Sequence, residues 1–352
     1  MYTPEQLEQF LLAAQKGPLK NVQRLMAKFE IPINAQKNIS LCTALHRAMR
    51  AEQFEVAAYL IDNGANPLLQ DAEGNTPVHL LRWCHNAPPR TLLEKIITQY
   101  PSIVKIKNRS NDTILHLNSH ISAILPQLVA AGLNINAPNA QGCAAIVYAV
   151  DTNDPSTLSG LLAHQPDLTV KNFAQQPLLH IAAEKSSSVA CLELLVEHVD
   201  ATLLNATNLQ GFTPVHLACL YARARSVQAL LNKNVDLSIP NQQGDTLFTS
   251  ILQTIARVKQ NPVASIRTHH LNRLKENASL LLAYLTTHPE ACTMTQTEHQ
   301  ALCEFTAPEP TLSETITGYL PSLAGEKTQK RSREDSQPTD APKKRNLTKE
   351  LP

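Results

Sequence analysis

Eight stretches of one phase recur along the chain at a near-constant interval, and that recurrence limits the fold more than composition does. The fullest copy is Gly211-Phe212-Thr213-Pro214-Val215-His216-Leu217-Ala218. Weaker copies are Thr43-Ala44-Leu45-His46, Thr76-Pro77-Val78-His79, Thr113-Ile114-Leu115-His116 and Pro177-Leu178-Leu179-His180. Copies without the His are Ala144-Ala145-Ile146-Val147 and Thr246-Leu247-Phe248, and Phe10-Leu11-Leu12 fits the same slot. Counted on the His position they fall at 11, 46, 79, 116, 147, 180, 216 and 249, in steps of 35, 33, 37, 31, 33, 36 and 33. A fixed period of this size means one supersecondary unit repeated along an axis. The 352 residues therefore read as one long stack with a tail rather than as two ordinary domains.

The motif has a mechanical reading. Thr can cap a helix start by accepting from exposed backbone N–H groups. Pro suits the first helical position, where its missing N–H costs nothing. The following Leu and Ala put a large and a small apolar side chain on one face. A second helix follows each time, with helical apolar spacing at Val56, Tyr59, Leu60 and Ile61 and at Cys191, Leu194 and Leu195. Gly64 and Gly132 stand where such helices should stop. A period near 33 with Thr-Pro-Leu-His at fixed phase resembles the ankyrin repeat, over roughly residues 4 to 290. The resemblance implies an all-α solenoid of stacked helix-turn-helix units with hairpin finger loops. It also implies that the motif histidines tie neighbouring turns rather than catalyse or bind metal.

Taken in order, residues 4–249 carry the repeats, 250–323 a divergent last repeat with an elongated helical cap, and 324–352 a disordered basic tail. The longest steps place insertions at Ala87-Pro88-Pro89 and around Asp200–Leu204, where loops absorb them cheaply. A helix is expected from about Ala264 to Leu285, with Arg267, His269, His270, Arg273 and Lys275 on a solvated face. Val147 in place of the His, with no Thr before it, makes repeat five the expected weakest joint.

Composition excludes several classes. No apolar run reaches the ~18 residues that a membrane helix needs, and Met1–Gln6 lacks the regions of a secretory signal. Seven cysteines scattered among helix positions read as reduced thiols of a soluble intracellular protein. From Glu326 onward eight Lys/Arg face five Asp/Glu, a balance of +3 against a whole-chain charge of +1. The remainder is thus mildly acidic, at −2, and poorly matched to nucleic acid. No cofactor is called for. Within the tail, Lys330 and Arg331, then Lys343, Lys344 and Arg345, have the spacing of a bipartite nuclear localisation signal that would engage an import receptor.

The family resemblance implies a nonenzymatic adaptor that binds a protein partner through its finger tips and the ends of its first helices. Trp83, Arg109, Phe173, Leu209, Phe212, Leu220 and Tyr221 fall at those offsets. The aromatic and aliphatic members are candidate hot spots, because such side chains dominate interface energetics. The alternative is an enzyme with thiol chemistry in the divergent segment, using Cys292 or Cys303 with His269, His270, His288 or His299. The two His-x-x-x-Cys spacings there also raise a zinc site, against which Pro289 and the lack of a Cys-x-x-Cys weigh. Degenerate repeats rich in Asn and Gln, joined to a polar C-terminus, also resemble ankyrin effectors that intracellular bacteria inject into host cells. A nuclear signal would then act in the host; a eukaryotic nuclear adaptor is the other reading.

Overall fold

The computed structural model describes residues 2–307, without Asn38, 84–88, 118–123, 186–188 and Thr293, and with the main chain only at 82, 83 and 117. One compact unit runs from Met1 to Thr306; of the other, which starts at Ala307, only that residue is described. The localisation-signal residues thus lie outside the described residues.

Helices α1 (Pro4–Lys16) and α2 (Leu19–Phe29) open the stack, followed by α3 (Ala44–Arg50) and α4 (Phe54–Asp62). A 3-10 helix at His79–Trp83 stands before α5 (Arg90–Gln99), then come α6 (Ile114–Leu117) and α7 (Leu125–Ala130). Next are α8 (Ala145–Asp151) with α9 (Pro155–Leu162), and α10 (Leu178–Glu184) with α11 (Ala190–Val196). The short α12 (Ala201–Leu204) fills the expected insertion, capped by Asp200, which accepts from the Leu203 N–H at 2.9 Å. The series ends with α13 (Pro214–Leu220), α14 (Ala224–Leu231), α15 (Leu247–Lys259), α16 (Ala264–Thr287) and α17 (Gln296–Thr306). Among the described residues there is no strand, only one isolated bridge between Lys171 and Pro177. This is the all-α repeat solenoid.

First helices stack on first helices, α1 on α3, α8 on α10, α10 on α13 and α13 on α15, and second helices likewise, as α11 on α14 and α14 on α16. No pair buries its own face, so one core runs through the array, from Leu7 and Phe10 through Leu60, Leu161 and Leu230 to Leu302. Each fully buried Leu or Ile contributes about 1.5–3 kcal/mol. Gly64 and Gly132 follow α4 and α7 at φ 88° and 90°, a backbone that glycine adopts without strain.

The motif histidines are the rivets. His46 Nε2 donates to the Asn75 carbonyl at 3.0 Å, His79 to Asp112 at 3.2 Å, His116 to Cys143 at 3.1 Å and His180 to Phe212 at 2.8 Å. Each acceptor belongs to the residue just before the next unit's motif Thr position, at 76, 113, 144 and 213. On the other ring edge, Nδ1 of His46, His79 and His116 accepts from its own Thr, at 2.8, 2.7 and 3.0 Å. The imidazole must be neutral to accept there and donate at Nε2. Burial accordingly holds all of these histidines below the usual range, His79 and His180 at about 4. His216 keeps the Thr213 contact at 2.8 Å, but its buried Nε2 has no partner.

The fingers rest on a device absent from the sequence reading. Asp71, Asn108, Asn139, Asn172, Asn208 and Asn241 each open a finger. One side-chain oxygen of each accepts from the N–H groups two and four residues on, as in Asn208 to Gln210 and Phe212, both at 3.0 Å. The positive-φ position that follows is Gly at 74, 142, 211 and 244, but Asn111 at φ 58° and Gln175 at φ 59°.

Helix α17 closes the far end. Glu298 accepts from Thr246 Oγ1 at 3.0 Å, Thr249 Oγ1 at 2.6 Å and the Thr295 N–H at 3.0 Å. It thereby occupies the first turns of α15 and α17 together, where the helix dipole favours a carboxylate.

Candidate interaction groove

Successive fingers are joined edge to edge by one backbone bond. The Ala72 N–H donates to Ser40, Arg109 to Glu73, Ala140 to Ser110 and Gln242 to Gln210, at 2.8–3.1 Å. No such bond joins Phe173 to Gln141 or Leu209 to Ala174. The Phe173 N–H lies against the Cys143 thiol instead. The finger 172–176 is therefore set apart on both sides, and a cleft of about 400 Å³ lies between it and the finger 208–212.

Ala174, Gln175 and Gln176 form one wall of that cleft and Leu209, Gln210 and Phe212 the other, with Glu184 and Tyr221 at its helix-end side. A second cleft of about 340 Å³ lies next to it, with Phe212 and Leu220 against Gln243, Gln253 and Arg257. Phe212 divides the two. Its ring leans on His216 with centroids 5.7 Å apart, and its carbonyl takes the His180 bond. The wall between the clefts is thus anchored to the core.

Of the seven expected partner-binding residues, four line these clefts: Leu209, Phe212, Leu220 and Tyr221. Phe173 stands on the isolated finger and is 72 % exposed; Leu209 is 58 % and Tyr221 45 % exposed. Arg109 is exposed on an earlier finger, Asn108–Asp112, and does not join them. Trp83 ends its 3-10 helix, and its side chain lies outside the described residues. Gln175, Gln176, Ser250, Thr254 and Arg257 were missed as lining residues. Only Arg257 carried a signal, as a cation in a run of sequence without carboxylates.

Electrostatics in the groove are modest. Gln176 Nε2 donates to Glu184 Oε2 at 3.1 Å, and Arg223 Nε donates to the Glu184 carbonyl at 3.0 Å. Burial, followed by Glu184, raises the Tyr221 phenol. Lys185 pairs with Asp151 at 2.9 Å across neighbouring helix ends.

Of the candidate thiol–histidine pairs, His299 and Cys303 come together on α17, whereas Cys292 bonds a backbone carbonyl instead. Cys292 is buried, its thiol donates to the Leu237 carbonyl at 3.5 Å, and burial raises its pKa, which opposes nucleophilic use. His288 stacks on Tyr284 with centroids 4.3 Å apart, while His299 faces the exposed Cys303 at 3.7 Å. Among the described residues no three His, Cys, Asp or Glu side chains are grouped to hold a metal ion. Among the same residues no helix is long and apolar enough to cross a membrane.

Stacked helix pairs with projecting fingers and an open groove define a repeat-built recognition scaffold. Profiles of ankyrin repeats match residues 10–61, 45–86 and 170–241. The chain is an ankyrin-repeat protein. It is 29 % identical to human transient receptor potential cation channel subfamily A member 1 over 54 % of its length and 17 % of that protein's. It is 24 % identical to human B-cell lymphoma 3 protein over 66 % of the chain and 51 % of that protein. To human NF-kappa-B inhibitor alpha it is 36 % identical, over 30 % of the chain and 34 % of that protein. The chain spans about half the length of these relatives or less.

Proposed function

We propose that this protein is a nonenzymatic adaptor whose partner seats in the two clefts around Phe212. The carrying observation is the break in the finger ladder at 172–176, which coincides with Phe173, Leu209 and Tyr221 left exposed. Three large apolar side chains at positions that no core requires mark an interaction site. One relative's name, NF-kappa-B inhibitor alpha, records action on another protein, which agrees with a partner of that kind. Entry to a nucleus through Lys330, Arg331, Lys343, Lys344 and Arg345 belongs to the same reading.

The test is affinity capture from nucleated-cell lysate with three baits: wild type, Phe173→Ser/Leu209→Ser/Tyr221→Ser, and a chain ending at Ala324. Because the three side chains are exposed, the triple variant should keep its helicity. A partner lost with the triple variant alone supports the groove. Import receptors lost with the truncation alone support the signal. Captures that survive both changes refute both assignments.

A further inference from the structure

Helix α15 starts at the same phase as α13, each one residue after its Thr, yet α13 has seven residues and α15 has 13. At 1.5 Å per residue the extra turns carry α15 about 9 Å past its predecessor's end. Helix α16, 24 residues long, returns past α15 and on against α14. Just past its middle, Asn277 donates to the Ala218 and Cys219 carbonyls at the end of α13, at 3.3 and 3.1 Å. The earlier part of α16 therefore overhangs the turn between α13 and α14.

That overhang is cationic. No Asp or Glu occurs between Asp245 and Glu276, whereas Arg257, Lys259, Arg267, Arg273 and Lys275 do. Earlier lysines pair across neighbouring repeats, Lys37 with Glu8, Lys185 with Asp151 and Lys233 with Glu197. Arg257 and Arg273 have no ion-pair partner among the described residues. Their fields meet at His270, which is held below the usual range by burial and then by Arg273, His269, Arg223 and Arg257. Arg223, in the turn below, is lowered by burial and Arg273, and Glu184 offsets it in part. Cations from the turn, α15 and α16 thus converge, with Arg223, His270 and Arg273 half-buried. A solvated face would spread these charges, because like charges held together are unfavourable until an anion joins them.

Arg257 also lines the cleft formed by Phe212, Leu220, Gln243 and Gln253. An apolar floor, the Gln243 amide and the Arg257 guanidinium, a group matched to carboxylates, meet at one place, while Gln253 Nε2 is held by Asp245 at 3.2 Å. The chain's own C-terminal segment is a poor occupant, since from Glu326 it carries eight Lys/Arg against five Asp/Glu. A long polyanion would leave the patch for a body that is net acidic.

We propose that the wall of Arg257, His270 and Arg273, with the Phe212–Leu220 cleft at its foot, receives an acidic stretch of a polypeptide partner beside one apolar anchor residue. This rests on the adaptor reading and adds the partner's charge. Charge complementarity of this kind raises the association rate and makes it salt-dependent.

The test uses the full chain and fluorescence polarisation with three labelled probes. These are an Asp/Glu-rich peptide with one central Phe, its Asn/Gln counterpart, and single-stranded oligodeoxythymidylate of equal charge. The acidic peptide should bind, weaken as salt is raised, and lose roughly tenfold or more on Arg257→Glu/Arg273→Glu. Arg257→Gln, at an exposed site that cannot endanger folding, should lose a smaller factor in the same direction. Equal binding of the Asn/Gln peptide, undiminished binding by both variants, or no binding of the acidic peptide overturns the proposal. Tighter binding of the oligonucleotide overturns it in favour of a polynucleotide site. Phe173→Ser/Leu209→Ser/Tyr221→Ser leaves Arg257, His270 and Arg273 in place. Loss of captured partners with retained acidic-peptide binding, or the converse, therefore separates failure of the groove from failure of this proposal.

Discussion

Fingers from Ser40 to Ala140 are joined without a gap, and His46, His79 and His116 each bond both their own Thr and the next unit. From Gln141 onward the pattern loosens. Val147 replaces a His, the finger 172–176 lacks its ladder bonds, His180 Nδ1 is unpartnered and so is His216 Nε2. The apolar core is equally continuous in both halves. What differs is polar bonding between units. A stacked array can lose such bonds locally because each unit depends only on its neighbours, and the clefts and exposed aromatics lie where bonds have been lost.

The largest expected effect is acid loss of the units that hold buried histidines, in both halves. For a histidine held below 6.5 in the folded chain, the unfolded chain binds the proton first. The neutral histidine's contribution is complete above 6.5, declines below it and is lost as pH falls through the folded value. That value is about 4 for His79, His180 and His216. One site moved that far corresponds to roughly 3 kcal/mol. Urea midpoints should hold steady above pH 7 and fall steeply between about 6.5 and 4. A flat profile across that window would show that the imidazoles are not held neutral.

Removing single rivets sharpens the contrast. His79→Ala strands the Asp112 carbonyl and Thr76 together, and should cost about 2–4 kcal/mol. His216→Ala removes a ring already missing one bond, and should cost about half as much. Equal costs measured by urea unfolding would mean that His216 is as fully bonded as His79.

Glycine substitutions probe the finger spacing. A Cβ on Gly211 would stand 2.4 Å from the Gln242 nitrogen, whereas one on Gly142 would meet nothing within 4 Å. Both have positive φ, so each change to Ala carries a strain of about 1 kcal/mol. Gly211→Ala adds a backbone clash and should lose about 2–3 kcal/mol in all. If Gly142→Ala proves as costly, the fingers at 139–143 and 172–176 are closer than this structure has them.

The fold was legible because its signal is periodic: the Thr caps, the His phase, the helix stops and the long last helix all follow from spacing. The finger ladder was not, because a bond between Arg109 N and Glu73 O leaves no trace in side-chain identity. The Asn at five of the six finger starts was visible but read as bias. It has a structural cause, since one carboxamide or carboxylate oxygen must satisfy two N–H groups in each turn. That cause removes much of the weight that Asn content lends to a bacterial-effector resemblance. Leu209, Phe212, Leu220 and Tyr221 were reachable from family offsets. Arg257 was not, because the overhang of α15 depends on a helix nearly twice the usual length.

The smallest expected effect concerns the fifth repeat. Its first helix starts at Ala145, where the cap residue Ala144 supplies no side-chain bond, and has Val147 where the rivet should be. Substitutes exist: Asn139 Nδ2 donates to Asp112 and to the Tyr148 hydroxyl, both at 2.8 Å, and Tyr148 stacks edge-on to His116 at 6.0 Å. The Asp112 bond and the His116 contact look back to the fourth unit; forward to the sixth run the Phe173 N–H at the Cys143 thiol and the exposed Lys185–Asp151 pair, with no buried imidazole bond among the described residues. Opening should therefore begin on the forward side, between α8 and α10. Native-state hydrogen exchange should show the amides of α8 less protected than those of α13 by about 1 kcal/mol, one hydrogen bond's worth. Equal protection would mean that packing of Ile146, Val147 and Val150 holds this joint as well as the histidines hold theirs.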